Sequence, residues 1–402
     1  MRRDFMDFYS KNTLAMEHSF IREILKVTKG VKGITSFAGG LPNPDTFPRE
    51  IIAEIFNEVI LNEGSDVLQY GASEGDRQLI KAIKIFESVE NIGDDELIIT
   101  NGSTNGIYNY TRSMIDQDDI IITEAPGFPG SIAAMEACGA KLFGIDMDEL
   151  GMIPELLDKE LNALLSKKKP VKFIYLIPEF QNPSGRTMSL QRRRDIIKIA
   201  KKYDIPILED QPYRELRYSG ERIITLWELA RTEFNDPEIV TICKSFSKIL
   251  GPGLRLGFSS GAPGIIGQMV KWSQKSIVSP DCVTQRVAAH FINRGYMHDH
   301  IKKIIELYRP KRDIMLKTLE QYMPDGVTWT KPEGGMFIWL MFDKAVNTDV
   351  LFDKAIENKI AFIPGSKFYS ANNKKRNEVR LNFSYPTIDE IKKGIKILAS
   401  LL

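Results

Sequence analysis

The chain has 402 residues, of which 43% are hydrophobic and 27% charged, a composition that fits a globular protein of about two or three domains with a large core. A formal net charge of +1 lacks the basic field that capture of nucleic acid or an anionic membrane requires, so small-molecule chemistry is favoured. Cys138, Cys243 and Cys282 are scattered without metal-ligand spacing and are too few to staple a chain this long, so they read as buried apolar side chains in a reducing compartment.

The start, MRRDFMDFYSKNT, has two arginines but no apolar run behind them, which argues against a secretory signal and for a cytoplasmic protein. No repeat, low-complexity tract or linker divides the chain. From Glu96 onward, short β-rich runs alternate with helical stretches: 96–100, 119–124, 141–145, 173–178, 205–210, 238–243 and 254–260. Between them lie segments such as LQRRRDIIKIAKKYD, where Leu190, Ile196, Ile197 and Ala200 fall near one helical face. This rhythm predicts an α/β fold: a large domain with a mainly parallel seven-stranded sheet flanked by helices. After about residue 295 the pattern changes to a long helix, a Gly-Gly turn, the strand MFIWLMF (336–342), the segment VRLNFS and a final helix, a smaller α+β domain. MFIWLMF is far short of the roughly 20 apolar residues that cross a bilayer. The expected organisation is an N-terminal arm, 1–45, packing on the small domain or a partner subunit, a large domain, 46–290, and a small domain, 291–402.

In such sheets ligands sit outside the carboxyl ends of the strands, and the chemistry-bearing residues cluster there. Asn101-Gly102-Ser103-Thr104 opens a helix after the first strand, where free N–H groups favour a phosphate, although a capped helix without ligand looks the same. Phe128 follows the second strand. Asn182 precedes a Pro-Ser-Gly turn and reads equally as a turn opener. Asp210 ends an apolar strand with Tyr213 three residues on; a carboxylate there costs several kcal/mol unless paired, and a protonated pyridine nitrogen or the cap of the next turn would each serve. Ser245-Phe246-Ser247-Lys248, with Arg255 seven positions later, sets two hydroxyls and a guanidinium around one amine, as an anchor for pyridoxal phosphate would need, although by itself the segment reads equally as a surface loop of Ser, Lys and Arg. Arg380 in EVRLNFS is either a surface residue or an inward clamp for a carboxylate. His298 and His300 lack metal-ligand spacing and read as solvent-exposed, no metal site is expected, and the runs 167–169 and 374–376 read as solvated loops.

Taken together these residues resemble the fold type I pyridoxal phosphate-dependent aminotransferases of class I/II, and within them the branch of 2-aminoadipate, kynurenine and bacterial aromatic aminotransferases. SFAGGLPNPDTFP, LQYGASEG, TNGSTNG, EAPGFPG, QNPSGRTMS, LEDQPY, SFSKILGPGLRLGF, PEGGMFIWL, PGSKFY and VRLNFS occur in the family order across nearly the whole chain. The resemblance implies that Lys248 forms a Schiff base with the cofactor and later shuttles the substrate proton, and that Asp210 pairs with the ring nitrogen. It implies that Asn182 and Tyr213 hold the ring's phenolic oxygen, and that Ser103, Thr104, Ser245, Ser247 and Arg255 hold the phosphate. Tyr70 would join them from the other subunit of a homodimer with shared active sites, with residues near Ser279 also supplied across the interface. Arg380 would grip the substrate α-carboxylate, assisted by Asn182 and the backbone at Gly40.

Two departures stand out. Phe128 replaces the family's usual tyrosine, keeping the stacking surface without the hydroxyl, and Thr104 replaces the usual glutamine. The implied reaction moves an amino group from an aromatic or 2-aminoadipate-like amino acid to a 2-oxo acid such as 2-oxoglutarate. A lyase or decarboxylase on the same scaffold is the alternative. A cofactor-binding regulatory protein is more remote, since the family phrases begin by about residue 36 and leave no room for a DNA-binding module.

Overall fold

The computed structural model describes residues 6–10, 13, 14, 16, 23, 24, 33–89, 91–370, 372 and 375–402. Lys374 of the basic run 374–376, and most of the arm before residue 33, lie outside them.

The strands are β1 (Thr35–Ser36), β2 (Leu97–Thr100), β3 (Ile120–Ala125), β4 (Lys141–Asp148), β5 (Gly151–Met152), β6 (Val171–Leu176), β7 (Ile207–Gln211), β8 (Val240–Ser245), β9 (Gly257–Ser260), β10 (Thr328–Trp329), β11 (Phe337–Met341), β12 (Ile360–Ala361), β13 (Ile363–Pro364) and β14 (Glu378–Asn382). The large sheet runs β2-β9-β8-β7-β6-β3-β4-β5. Its centre, β8 through β4, is parallel, β9 is antiparallel to both neighbours, and β5 returns antiparallel on β4. All seven expected strands are present. The eighth, β5, spans two residues reached through a turn in which Gly151 takes φ +105°, too short to register as a strand pattern.

β2, buried along its whole length, reads as an apolar run, Leu97-Ile98-Ile99, because helices cover both faces of the sheet, whereas the equally buried β7 ends in Glu209, Asp210 and Gln211. One face joins a core that includes Ile99, Ile122, Ile174 and Ile207, and the other a core with Ile98, Ile121, Phe173, Tyr175 and Leu208, the alternation that pleating imposes. The smaller antiparallel sheet, β10-β11-β14-β13, carries Arg380 on β14, and β1 pairs in parallel with β12 so that the chain before the large sheet is stitched to the later one.

Several expectations shift. The strand expected at 254–260 begins only at Gly257, since Pro252–Leu254 form a 3-10 turn and Arg255 adopts φ +48°. The long helix expected after residue 295 is present as Tyr296–Tyr322 and runs, as expected, through Pro310. His298 is exposed against the Phe86 ring, but His300 is buried, its ring edge-on to Phe291, and burial pushes its pKa down to about 4; its place on the inward face of the long helix outweighs the polarity that suggested exposure. Cys138 and Cys243 are buried as expected, whereas Cys282 is half-buried at a helix start.

Candidate active site

The carboxyl ends of the parallel strands and β14 of the small sheet bring most of the expected residues, though not Tyr70, to one region. Lys248 lies in the turn after β8, where Phe246 inserts into the core and fixes the backbone on either side. Its Nζ donates to the Gly40 carbonyl at 2.9 Å, and loss of solvent, together with the positive charges of Arg380 and Arg255, pushes its pKa down to about 8. A lysine so tuned offers a substantial neutral fraction near neutrality.

Asp210, on β7, is 1% exposed. Its Oδ2 accepts from the Tyr175 hydroxyl at 2.8 Å, while its buried Oδ1 has no partner. Burial pushes this carboxyl up to about 7. An orphaned carboxylate oxygen at the end of a central strand asks for a cationic N–H, which a protonated pyridine supplies.

Asn182 bridges two parts of the molecule. Its Nδ2 donates to the Tyr213 hydroxyl at 3.2 Å, and its Oδ1 accepts from Arg380 Nη1 at 3.0 Å. Arg380 is 1% exposed, packed between the rings of Phe337 and Phe368, and also donates from Nη2 to the Ala38 carbonyl; its Nε has no partner. Burial lowers its pKa to about 10, so it remains a cation at physiological pH.

The phosphate side is built on the helix Ser103–Met114. Its N-cap, Gly102, has φ +79° and no side-chain cap bond, which leaves first-turn N–H groups for a ligand. Arg255 Nη2 donates to the Asn101 carbonyl at 3.1 Å, and a Cβ at Gly102 would meet that nitrogen at 2.8 Å. The positive φ favours glycine there, and a side chain would also have to push the guanidinium aside. Ser245 Oγ accepts from Ser247 N at 3.1 Å, which turns the Ser245 hydroxyl into the loop that carries Lys248. A dianion beside Arg255 and the helix start, a pyridine nitrogen on Asp210 and an aldehyde near Lys248 make a set that the residues present can hold.

Phe128 caps the helix Pro129–Glu136 just after β3, beside the core of the Asp210 face. Tyr70 is not joined to this group: its side chain is 82% exposed, just beyond the helix Arg49–Val67.

Supporting residues escaped the sequence reading. Glu124, at the end of β3, accepts from Ile177 N at 2.9 Å and Gln181 Nε2 at 3.3 Å, and burial with the nearby Asp210 pushes it up to about 8. Gln181 also donates to the Pro126 carbonyl and accepts from Ser184, so it braces the loop that presents Asn182. Glu179, in the same loop, pairs with Arg193 at 3.2 Å and Arg217 at 3.5 Å, all buried or nearly so. Among the described residues no cluster of His, Cys, Asp or Glu could hold a metal ion, and no helix is long and apolar enough to cross a membrane.

Residues 38–398 match the family of aminotransferases class I and II. The chain belongs to that family. It is a pyridoxal phosphate-dependent aminotransferase of fold type I. It is 38% identical to the aromatic-amino-acid aminotransferase 1 of Thermococcus litoralis, over 99% of this chain and 95% of that protein. It is 33% identical to the 2-aminoadipate transaminase of Thermus thermophilus, over 98% of this chain and 96% of that one. The crystal structure of Pyrococcus horikoshii kynurenine aminotransferase, in complex with PMP and with KYN as substrates and KYA as products, is 39% identical, covers 99% of this aminotransferase and 97% of its own chain, and superposes with a TM-score of 0.93.

Proposed function

We propose that this aminotransferase moves the amino group of an aromatic or 2-aminoadipate-like α-amino acid to a 2-oxo acid such as 2-oxoglutarate, in two half-reactions that share one site. The observation that carries the reading is the buried guanidinium of Arg380, held by Asn182 Oδ1 and the Ala38 carbonyl and presenting an unpartnered Nε. Such a cation fits the carboxylate common to donor and acceptor, so one grip serves both halves of the cycle. Relatives that act on aromatic amino acids, 2-aminoadipate and kynurenine support the donor class.

Bound pyridoxal phosphate supplies a ring that takes up the charge left when the substrate Cα proton departs. Lys248 Nζ would anchor the cofactor and serve as the base for that proton, and its lowered pKa suits an amine that must be neutral to act. Asp210 Oδ1 would receive the ring nitrogen, Asn182 and Tyr213 would hold the phenolic oxygen, and Phe128 would cover a ring face. Ser103, Thr104, Ser245, Ser247 and Arg255 would hold the phosphate, and the Gly40 backbone and Asn182 would help Arg380 orient the substrate.

We propose further that the enzyme is a cytoplasmic homodimer with shared active sites. The helix Arg49–Val67 exposes Phe56 and Leu61, and Leu68 and Tyr70 follow it in the open, an apolar patch suited to a second copy, across which Tyr70 would reach the phosphate and residues near Ser279 would approach the site. The division into an arm (1–45), a cofactor-binding domain (46–290) and a small domain (291–402) belongs to the same proposal. A panel of amino donors with 2-oxoglutarate tests the function: aromatic and 2-aminoadipate donors should react with one glutamate formed per donor consumed, whereas sustained product release without any 2-oxo acid would contradict it.

A further inference from the structure

Asp210 is tied to a polar chain that the proposed reaction does not use. Tyr175 lies on β6, next to β7, and the register opposes Tyr175 to Leu208, so Tyr175 and Asp210 share one face of the sheet two positions apart. The Tyr175 hydroxyl is 2.8 Å from Asp210 Oδ2 and 2.8 Å from Ser131 Oγ. All three side chains are buried, so no bulk water competes for these groups. A phenol has one proton and a carboxylate can only accept. With Asp210 ionised, the phenolic proton belongs to the carboxylate, and the Ser131 hydroxyl turns its own proton to the phenolic oxygen. Ser131 lies on the helix that begins directly after Phe128, so the chain links the element carrying the ring-covering side chain to the carboxylate meant for the ring nitrogen.

We propose that Tyr175, backed by Ser131, is a positioning residue that holds Asp210 by Oδ2, keeps it anionic and leaves Oδ1 free for the cofactor nitrogen. The inference rests on the assignment of Asp210 to that nitrogen. Without the phenolic donor the carboxylate is more basic and less fixed. It would then draw the shared proton away from the ring, and with less positive charge on the ring the yellow chromophore of the loaded enzyme would keep its own proton to higher pH.

The test is a spectroscopic pH titration of the loaded enzyme, with the dissociation constant of pyridoxal phosphate and the melting temperature of the cofactor-free protein, for the wild type, Tyr175→Phe, Ser131→Ala and Asp210→Asn. Tyr175→Phe should raise the chromophore midpoint by on the order of one pH unit and weaken cofactor binding about tenfold. Ser131→Ala should move both in the same direction by less, and it carries the test alone if Tyr175→Phe does not fold. Asp210→Asn should move both furthest. A lower melting temperature with an unchanged midpoint and dissociation constant in the two hydroxyl variants, while Asp210→Asn moves both, would overturn the inference and leave Tyr175 a packing residue. No change in Asp210→Asn would overturn the assignment of Asp210 and this inference with it.

Discussion

Arg380 Nη1 and Asn182 Oδ1 meet at 3.0 Å although 198 positions separate the two residues, which joins the small sheet to the loop after β6 inside the site. The same asparagine donates to Tyr213, so the groups proposed for the substrate carboxylate and the cofactor's phenolic oxygen are mechanically connected. Arg380→Ala should retain the cofactor spectrum but lower kcat/KM for amino donors by about 100-fold, as expected when a bidentate charge-assisted contact is lost. Asn182→Ala should disturb both kcat/KM and the spectrum. Steady-state kinetics with absorbance spectra of the two variants separates these outcomes.

Glu124 is a buried acid beside a second acid, and its pKa of about 8 means that it is mostly protonated at pH 7. Glu124→Gln, which keeps the shape and an acceptor for Ile177 N, should therefore be close to neutral in stability at pH 7. Glu124→Ala strips acceptors from Ile177 N and Gln181 and should cost about 1–3 kcal/mol, measured by denaturant unfolding.

In the cofactor-free protein the pKa of Asp210 rises from 3.8 to about 7. A carboxyl whose folded pKa is raised binds more protons folded than unfolded between the two values, so its contribution to stability falls as pH climbs from about 4 to about 7. Asp210→Asn, which never ionises, should melt higher than the wild type at pH 8, by a few kcal/mol of stability, and the gap should close toward pH 4. Thermal melts of both cofactor-free proteins across that range provide the check.

Glu179 and Arg193 form an ion pair without solvent contact, 3.2 Å apart, and Arg193 also donates to the carbonyls of Met188 and Ile224. Removing Arg193 takes away the shortest ion pair of the buried Glu179, leaving it Arg217 at 3.5 Å, and strips the donor from two carbonyls. Arg193→Ala should destabilise the protein by about 3–5 kcal/mol in denaturant unfolding and, because Glu179 stands three residues before Asn182, should also weaken cofactor retention.

Arg193 also shows where the sequence stops being legible. The helix Leu190–Tyr203 was readable from Leu190, Ile196, Ile197 and Ala200, yet Arg193 is 0% exposed on its inward side. A charged residue is inward only if a partner waits there, and that partner comes from a loop whose path depends on the whole sheet. Glu124 and Tyr175 hid for a related reason: each sits in a β-rich run where the apolar pattern dominates, and their partners come from other strands or helices. Lys248, Asp210 and Asn182 could be placed at strand ends from the rhythm, because strand ends in a parallel sheet point to one edge, but the roles expected of them came from the family resemblance. Boundaries were less so. The strand expected at 238–243 lies at Val240–Ser245, because Glu238 and Ile239 still belong to the turn after Pro237 and the strand runs on through the polar Lys244 and Ser245.

The proposed chemistry depends on the Lys248 amine reaching the aldehyde of pyridoxal phosphate. Its most direct measurement is the absorbance spectrum of cofactor-free protein after addition of pyridoxal phosphate, followed by borohydride reduction and peptide mapping. The expected result is a yellow, pH-sensitive band, faster to appear as pH rises through about 8, with the reduced cofactor attached to the Lys248 peptide and both signals lost in Lys248→Ala. A band of equal strength in Lys248→Ala, or reduction product on another lysine in the wild type, would contradict the account.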